Sequence, residues 1–304
     1  MYGGAERNLF QIAQRVFGSI DEKNLTLAAA GVAFYSFLAL FPMLAAAIGF
    51  WGLVADPMTL SAQIDALSGV VPASAFGVIE AQIDTLIAAP SETLSWAAIV
   101  SLGLALFSAR AGVSALMQGL NAVYQEPNRS NFLVKNVIAL LLTVMLIFVA
   151  LLALGSIVVL PILLALIPQP VPLEWLIVPL RWLILGVVVV GALGLIYKLA
   201  PNRRDAQVGW LTPGAVIATV LWAAASVGFS VYLSNFANYN EVYGSIGAIA
   251  ALLMWFFISA LTVLIGASVN AELELATRQD TTVGPDRPLG KRGAYVADTP
   301  PSES

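Results

Sequence analysis

Two residue types are missing outright: the 304 residues include no histidine and no cysteine. Without cysteine there is no disulfide, no thiolate metal site and no thiol nucleophile. Without histidine there is no imidazole to ligate zinc or serve as the usual general base, so most hydrolase and metalloenzyme schemes lose their central residue. Charge is also scarce. Asp, Glu, Lys and Arg make up 11% of the chain against 59% hydrophobic residues, and mean hydropathy is +0.87. A water-soluble domain needs far more charge to cover its surface, so the composition is that of a polytopic membrane protein. Net charge is −4 with a pI near 4.8, which leaves no basic stripe for phosphates and excludes a nucleic-acid partner. No catalytic set, cofactor or metal site is expected, and the chain is read as a non-enzyme.

What is present is a series of long apolar runs. An all-α fold is expected, with six transmembrane helices over about 25–54, 94–107 continuing to 124, 133–160, 180–199, 210–232 and 246–269. At about 1.5 Å per residue, the longer runs cross a hydrocarbon core of roughly 30 Å. Residues 1–24 precede them as an amphipathic surface helix, with Leu9, Ile12, Val16, Phe17 and Ile20 on one face. Pro42 suggests a kink near Phe41, Pro161 a stop to the third span, and Pro179 the first turn of the fourth. Between Asp56 and Glu92 there are five acids and no Lys or Arg, with Phe76, Ile79, Ile83 and Leu86 at helical spacing. That segment reads as an outer loop holding a second amphipathic helix. Residues 25–276 form the membrane domain, and 277–304, polar and rich in Gly and Pro, read as a disordered tail. Of 14 Lys and Arg, all but Arg181 fall on one side of this arrangement. The positive-inside rule then puts both termini in the cytoplasm.

Five strings occur in order: AAAGVAFYSFLALFP at 28–42, SARAGVSALMQGLNAVY at 108–124, YKLAPNRR at 197–204, SNFANYNEVYGSIGA at 234–248 and GASVNAELE at 266–274. On these the chain resembles the YihY/BrkB family of bacterial inner-membrane proteins over about Leu25 to Ala276. It departs at Ser268, where members often carry Glu. The resemblance implies a six-helix membrane fold with both ends cytoplasmic. It imports no settled activity, since the family has carried a ribonuclease label and has also been suspected of transporting lipids or other envelope material. A ribonuclease is disfavoured by the absent His and Cys and by the acidic balance.

Six residues are candidates for a substrate path or for structure. Arg110, where the second span meets the cytoplasm, reads first as a snorkelling anchor, with a phosphate or anionic headgroup as the alternative. Arg181, the lone base on the outer side, reads first as paired with Glu174 or Glu241, with an anionic substrate as the alternative. Tyr243 and Gly244 read as an aromatic belt with a packing notch, or as a hinge. Glu272 and Glu274 are two apart and point in different directions on a helix, so one is expected to face the interior. Glu272, near Asn270, is chosen as the functional acid, and a solvated helix exit is an equal alternative. The span centres are uncharged, which disfavours proton coupling. The reading is a transporter or flippase-like facilitator for an amphipathic envelope substrate, a lipid, working on membrane lipids with envelope or cytoplasmic protein partners. The alternatives are a scaffold recruiting partners through the polar stripe on 108–124, which runs from Arg110 to Gln125, and a membrane-embedded enzyme.

Overall fold

The computed structural model describes residues 9–54, 91–128, 131–165, 174–235, 239–277 and 279–299. Its long elements are all helices: α1 (Leu9–Glu22), α2 (Leu25–Val54), α3 (Ser91–Tyr124), α4 (Phe132–Ala165), α5 (Glu174–Leu199), α6 (Val208–Asn235) and α7 (Tyr239–Leu275), with a short α8 (Tyr295–Asp298) at the end. Among the described residues the bridge between Ala206 and Thr282 is the isolated exception. Among the described residues six helices, α2 to α7, are long and apolar enough to cross a membrane. The amphipathic segment expected within 56–92 lies mostly outside the described residues.

Three differences in element bounds bear on the sequence reading. Helix α4 runs through Pro161 to Ala165, and α5 begins at Glu174, so Pro179 lies inside the helix rather than in its first turn. Helix α7 begins at Tyr239, so the backbone is helical through Tyr243 and Gly244 and no break marks a hinge there. Transmembrane helices tolerate interior proline because their surroundings re-satisfy the freed backbone groups.

The chain divides into two compact units, Tyr35–Ala109 and the remainder, Met1–Phe34 with Arg110–Ser304. The larger unit holds a core in which Leu25, Leu120, Tyr124, Tyr197 and Leu264 are almost fully buried. Helices α6 and α7 pack extensively on one another, and α1 also lies on α7. Ile12 and Val16, on the apolar face of α1, are buried, so protein covers part of the face expected to rest on the membrane. Phe10 and Phe17 point outward at 78% and 71% exposure.

Helices α6 and α7 approach closely at two glycines. A Cβ built on Gly266 would stand 2.5 Å from the Gly214 carbonyl oxygen and 2.6 Å from both Ala218 Cβ and Tyr197 Oη. Only hydrogen fits there.

The segment 279–299, read as disordered from its polarity, is folded. Gln207 N–H donates to Thr281 O, Val283 N–H to Asp205 O, and Arg204 N–H to Gly293 O. Arg292, 6% exposed, fastens the segment internally by donating to the carbonyls of Arg287, Gln279 and Ala297. A chain poor in apolar residues can be ordered this way when a guanidinium gathers its carbonyls and the neighbouring connector supplies its backbone partners.

Candidate functional site

The end of the larger unit where α3, α5 and α7 finish is rich in buried polar groups. Helix α3 closes with Gln125 in the left-handed region, φ +56, and Glu126 N–H reaches back to Asn121 O at 2.8 Å. This closure resembles a Schellman cap, and it turns the chain so that Asn121, Pro127 and Asn128 meet the α5–α6 connector. Asn121 Oδ1 accepts from Asn202 N–H at 2.8 Å, Asn121 Nδ2 donates to Asn128 Oδ1 at 3.0 Å, and Asn202 Nδ2 donates to Pro127 O at 2.9 Å.

Beneath this clamp lies an ion pair. Arg203 holds Glu274 through Nη1–Oε1 at 3.1 Å and Nη2–Oε2 at 2.7 Å, with side chains 1% and 0% exposed. Thr281 Oγ1 donates to Glu274 Oε2 at 2.7 Å, and the Tyr124 ring lies under the guanidinium, 4.8 Å from its carbon. Burial works to discharge Arg203, but the charge and hydrogen bonds of Glu274 outweigh it and hold its pKa above the ordinary value. The expectation that only one of Glu272 and Glu274 is buried is overturned, since they are 7% and 0% exposed. The folded C-terminal segment covers the flank where Glu274 would otherwise meet water.

Asn270 is fully buried and committed to α6. Its Oδ1 accepts from Gly214 N–H at 2.7 Å and its Nδ2 donates to Leu211 O at 3.0 Å, which serves backbone groups on either side of Pro213. Ser268, also buried, donates back to Leu264 O at 3.1 Å within its own helix.

Glu272 is different. One of its oxygens, Oε2, is buried with no hydrogen-bond partner. The nearby cation is Lys23, in the turn between α1 and α2, whose Nζ donates to Val123 O at 2.9 Å near the end of α3. Burial lowers the Lys23 pKa, opposed by the negative fields of Glu272 and Glu22, so Glu272 is within electrostatic reach. The two make no ion-pair contact within 4.0 Å.

Arg110 Nη1 donates to Asn136 Oδ1 on α4, a protein partner that the snorkelling and headgroup readings did not foresee. The polar stripe on α3 is divided: Gln118 and Gln125 are exposed, while Asn121 is buried. Arg181, Tyr243 and Gly244 lie in helical backbone, but their side chains are outside the described set. Arg203, Tyr124 and Thr281 were not singled out from the sequence, where Arg203 reads as one more topology charge. The usable signal was the acid-rich exit of α7, which requires a base once it is buried.

A helical chain whose described residues hold six membrane-length apolar helices, with their buried charges gathered at one end, is a multi-pass membrane protein. Residues 16–288 match the family model described as virulence factor BrkB, and the chain belongs to that family. It is 30% identical over 253 residues to YfkH of Bacillus subtilis (strain 168), whose name calls it ribonuclease-like; the match covers 80% of this chain and 88% of YfkH. It is 39% identical over 94 residues to the UPF0761 membrane protein VV0203 of Vibrio vulnificus (strain YJ016), covering 31% of this chain and 29% of that one. The likeness to UPF0761 membrane protein XOO3417 of Xanthomonas oryzae pv. oryzae (strain MAFF 311018) is 37% over 79 residues, or 26% and 18% of the two chains. No solved structure matches the chain.

Proposed function

We propose that this protein is a non-catalytic facilitator in the bacterial inner membrane that moves an amphipathic envelope substrate, a lipid, between leaflets, with both termini in the cytoplasm. The observation that carries the reading is Glu272, a carboxylate at the end of a membrane-length helix that keeps one buried oxygen unmatched. Buried polar groups are normally satisfied, and the exceptions point to a function or a missing partner. The neighbouring Glu274 shows what a structural carboxylate looks like here, with a bidentate arginine and a threonine hydroxyl. Outward-facing Trp182, Leu183 and Val187 on α5 and Leu141, Phe148 and Leu151 on α4 suit contact with acyl chains. The scaffold alternative has less open surface than its stripe suggests, because Asn121 serves the connector and Arg110 bonds to Asn136.

The test is reconstitution. Vesicles containing the full chain are expected to exchange labelled phospholipid between leaflets faster than empty vesicles, and Glu272→Gln to slow that exchange. An unchanged empty-vesicle rate, with candidate protein partners and an energy source supplied, would overturn the reading.

A further inference from the structure

Resting on that reading, we infer that Glu272 and Lys23 together form a headgroup site for a zwitterionic phospholipid with a primary ammonium, the ethanolamine type. Lys23 has three N–H donors, and the structure uses one of them on Val123 O. Glu272 Oε2 needs a donor and has none. The two charges influence one another and form no ion pair within 4.0 Å, so neither is committed to the other and a bridging zwitterion can serve both.

Simpler ligands each leave one half of the site wrong. A free cation satisfies Glu272 but is repelled by Lys23, and a free anion satisfies Lys23 while leaving Oε2 unmatched beside a second negative charge. A choline headgroup carries the right charges, but its quaternary nitrogen has no hydrogen to donate, and such groups are recognised by aromatic cages. A glycerol headgroup can donate a hydroxyl but brings no positive charge. A serine headgroup adds a second carboxylate facing Glu272. A primary ammonium offers both charge and donors, and its phosphate falls to Lys23.

The position favours a membrane source. Phe17 precedes Lys23 on α1 and Leu27 follows it on α2, at 71% and 72% exposure. Bulky apolar groups on both sides of a lysine place it where headgroups lie above acyl chains.

The experiment uses the full chain in nanodiscs of equal phosphatidylethanolamine, phosphatidylglycerol and phosphatidylcholine, with the lipids retained after detergent extraction counted by mass spectrometry. The wild type is expected to enrich phosphatidylethanolamine roughly tenfold over the other two, about the worth of one charge-assisted hydrogen bond. Stepwise N-methylation of the ethanolamine should reduce that preference in order. Glu272→Gln should return the ratio to bulk, and Lys23→Arg should keep it. Bulk composition around the wild type, or undiminished enrichment by Glu272→Gln, overturns the assignment. Leaflet exchange measured on the same preparations separates the two claims: exchange without headgroup preference keeps the transport reading and removes this site, while enrichment without exchange keeps the site and removes transport.

Discussion

Arg203 and Glu274 show how a charge pair survives inside an apolar protein. Each ion loses its water on burial, and the attraction between them compensates only if geometry is good and spare lone pairs are met. Here both conditions hold, through two guanidinium bonds and the Thr281 hydroxyl. Removing one partner leaves the other charge buried and uncompensated, which costs about 3–5 kcal/mol. Arg203→Ala and Glu274→Ala are each expected to destabilise the protein by that order. The double variant should fall well short of their sum in a double-mutant cycle read by unfolding in detergent. Glu272→Gln is expected to behave in the opposite way. Replacing an under-satisfied carboxylate by a neutral amide should leave stability unchanged or raised in the absence of ligand, so its phenotype should lie in lipid handling.

At the level of elements, the α6–α7 crossing and the C-terminal segment carry the sharpest expectations. Gly266→Ala would push a methyl group into the Gly214 carbonyl and Ala218, and overpacking of this kind typically costs about 1–3 kcal/mol. Gly191→Ala, with open space around its Cβ, is the control, expected to be neutral or slightly stabilising through helix propensity. The C-terminal segment depends on two carboxylates. Asp298 accepts from the N–H groups of Gly290, Arg292 and Gly293, and Asp280 accepts from Thr282 and Arg287. Some burial pushes both pKa values up, but these hydrogen bonds pull harder and leave both below the ordinary carboxylate value. A depressed pKa in the folded state means that the stabilisation is complete above the unfolded pKa, about 4, and is lost as pH falls through the folded value. Hydrogen exchange should therefore show the amides of Gly290, Arg292 and Gly293 protected down to about pH 4 and opening below it, and Asp298→Asn should open them at neutral pH. The six spans could be read from the sequence because a membrane-length run of apolar residues has few other uses. The fold of 279–299 could not, since it rests on carbonyls gathered by Arg292 and on backbone and Gln207 side-chain bonds to a connector far away in sequence, and neither leaves a periodic trace. The same separation hid Arg203 from Glu274, while Glu272 and Asn270 were legible as polar residues at the exit of a long apolar helix.

For the whole molecule, the contacts supply a reason for the charge distribution. The α1–α2 turn, the α3–α4 and α5–α6 connectors and the C-terminal segment are joined by Lys23 to Val123, Asn202 to Asn121 and Tyr295 to Glu126. They therefore share one end of the larger unit, as an even number of crossings between α2 and the end of α7 requires. Lys23, Lys198, Arg203, Arg204, Arg287, Lys291 and Arg292 all belong to these segments or the helix ends leading into them. If that end is cytoplasmic, the positive-inside rule and the folded contacts have a single cause. The native chain has no cysteine, so single-cysteine labelling needs no background removed. Gln14→Cys on α1 and Leu289→Cys in the C-terminal segment, both at exposed positions, are expected to resist a membrane-impermeant maleimide in intact cells and to react fully once the inner membrane is opened. Labelling of both in intact cells would invert the orientation and put the Glu272–Lys23 site in the outer leaflet. Labelling of only one would break the shared end on which the ion pair, the asparagine clamp and the folded C-terminal segment all depend.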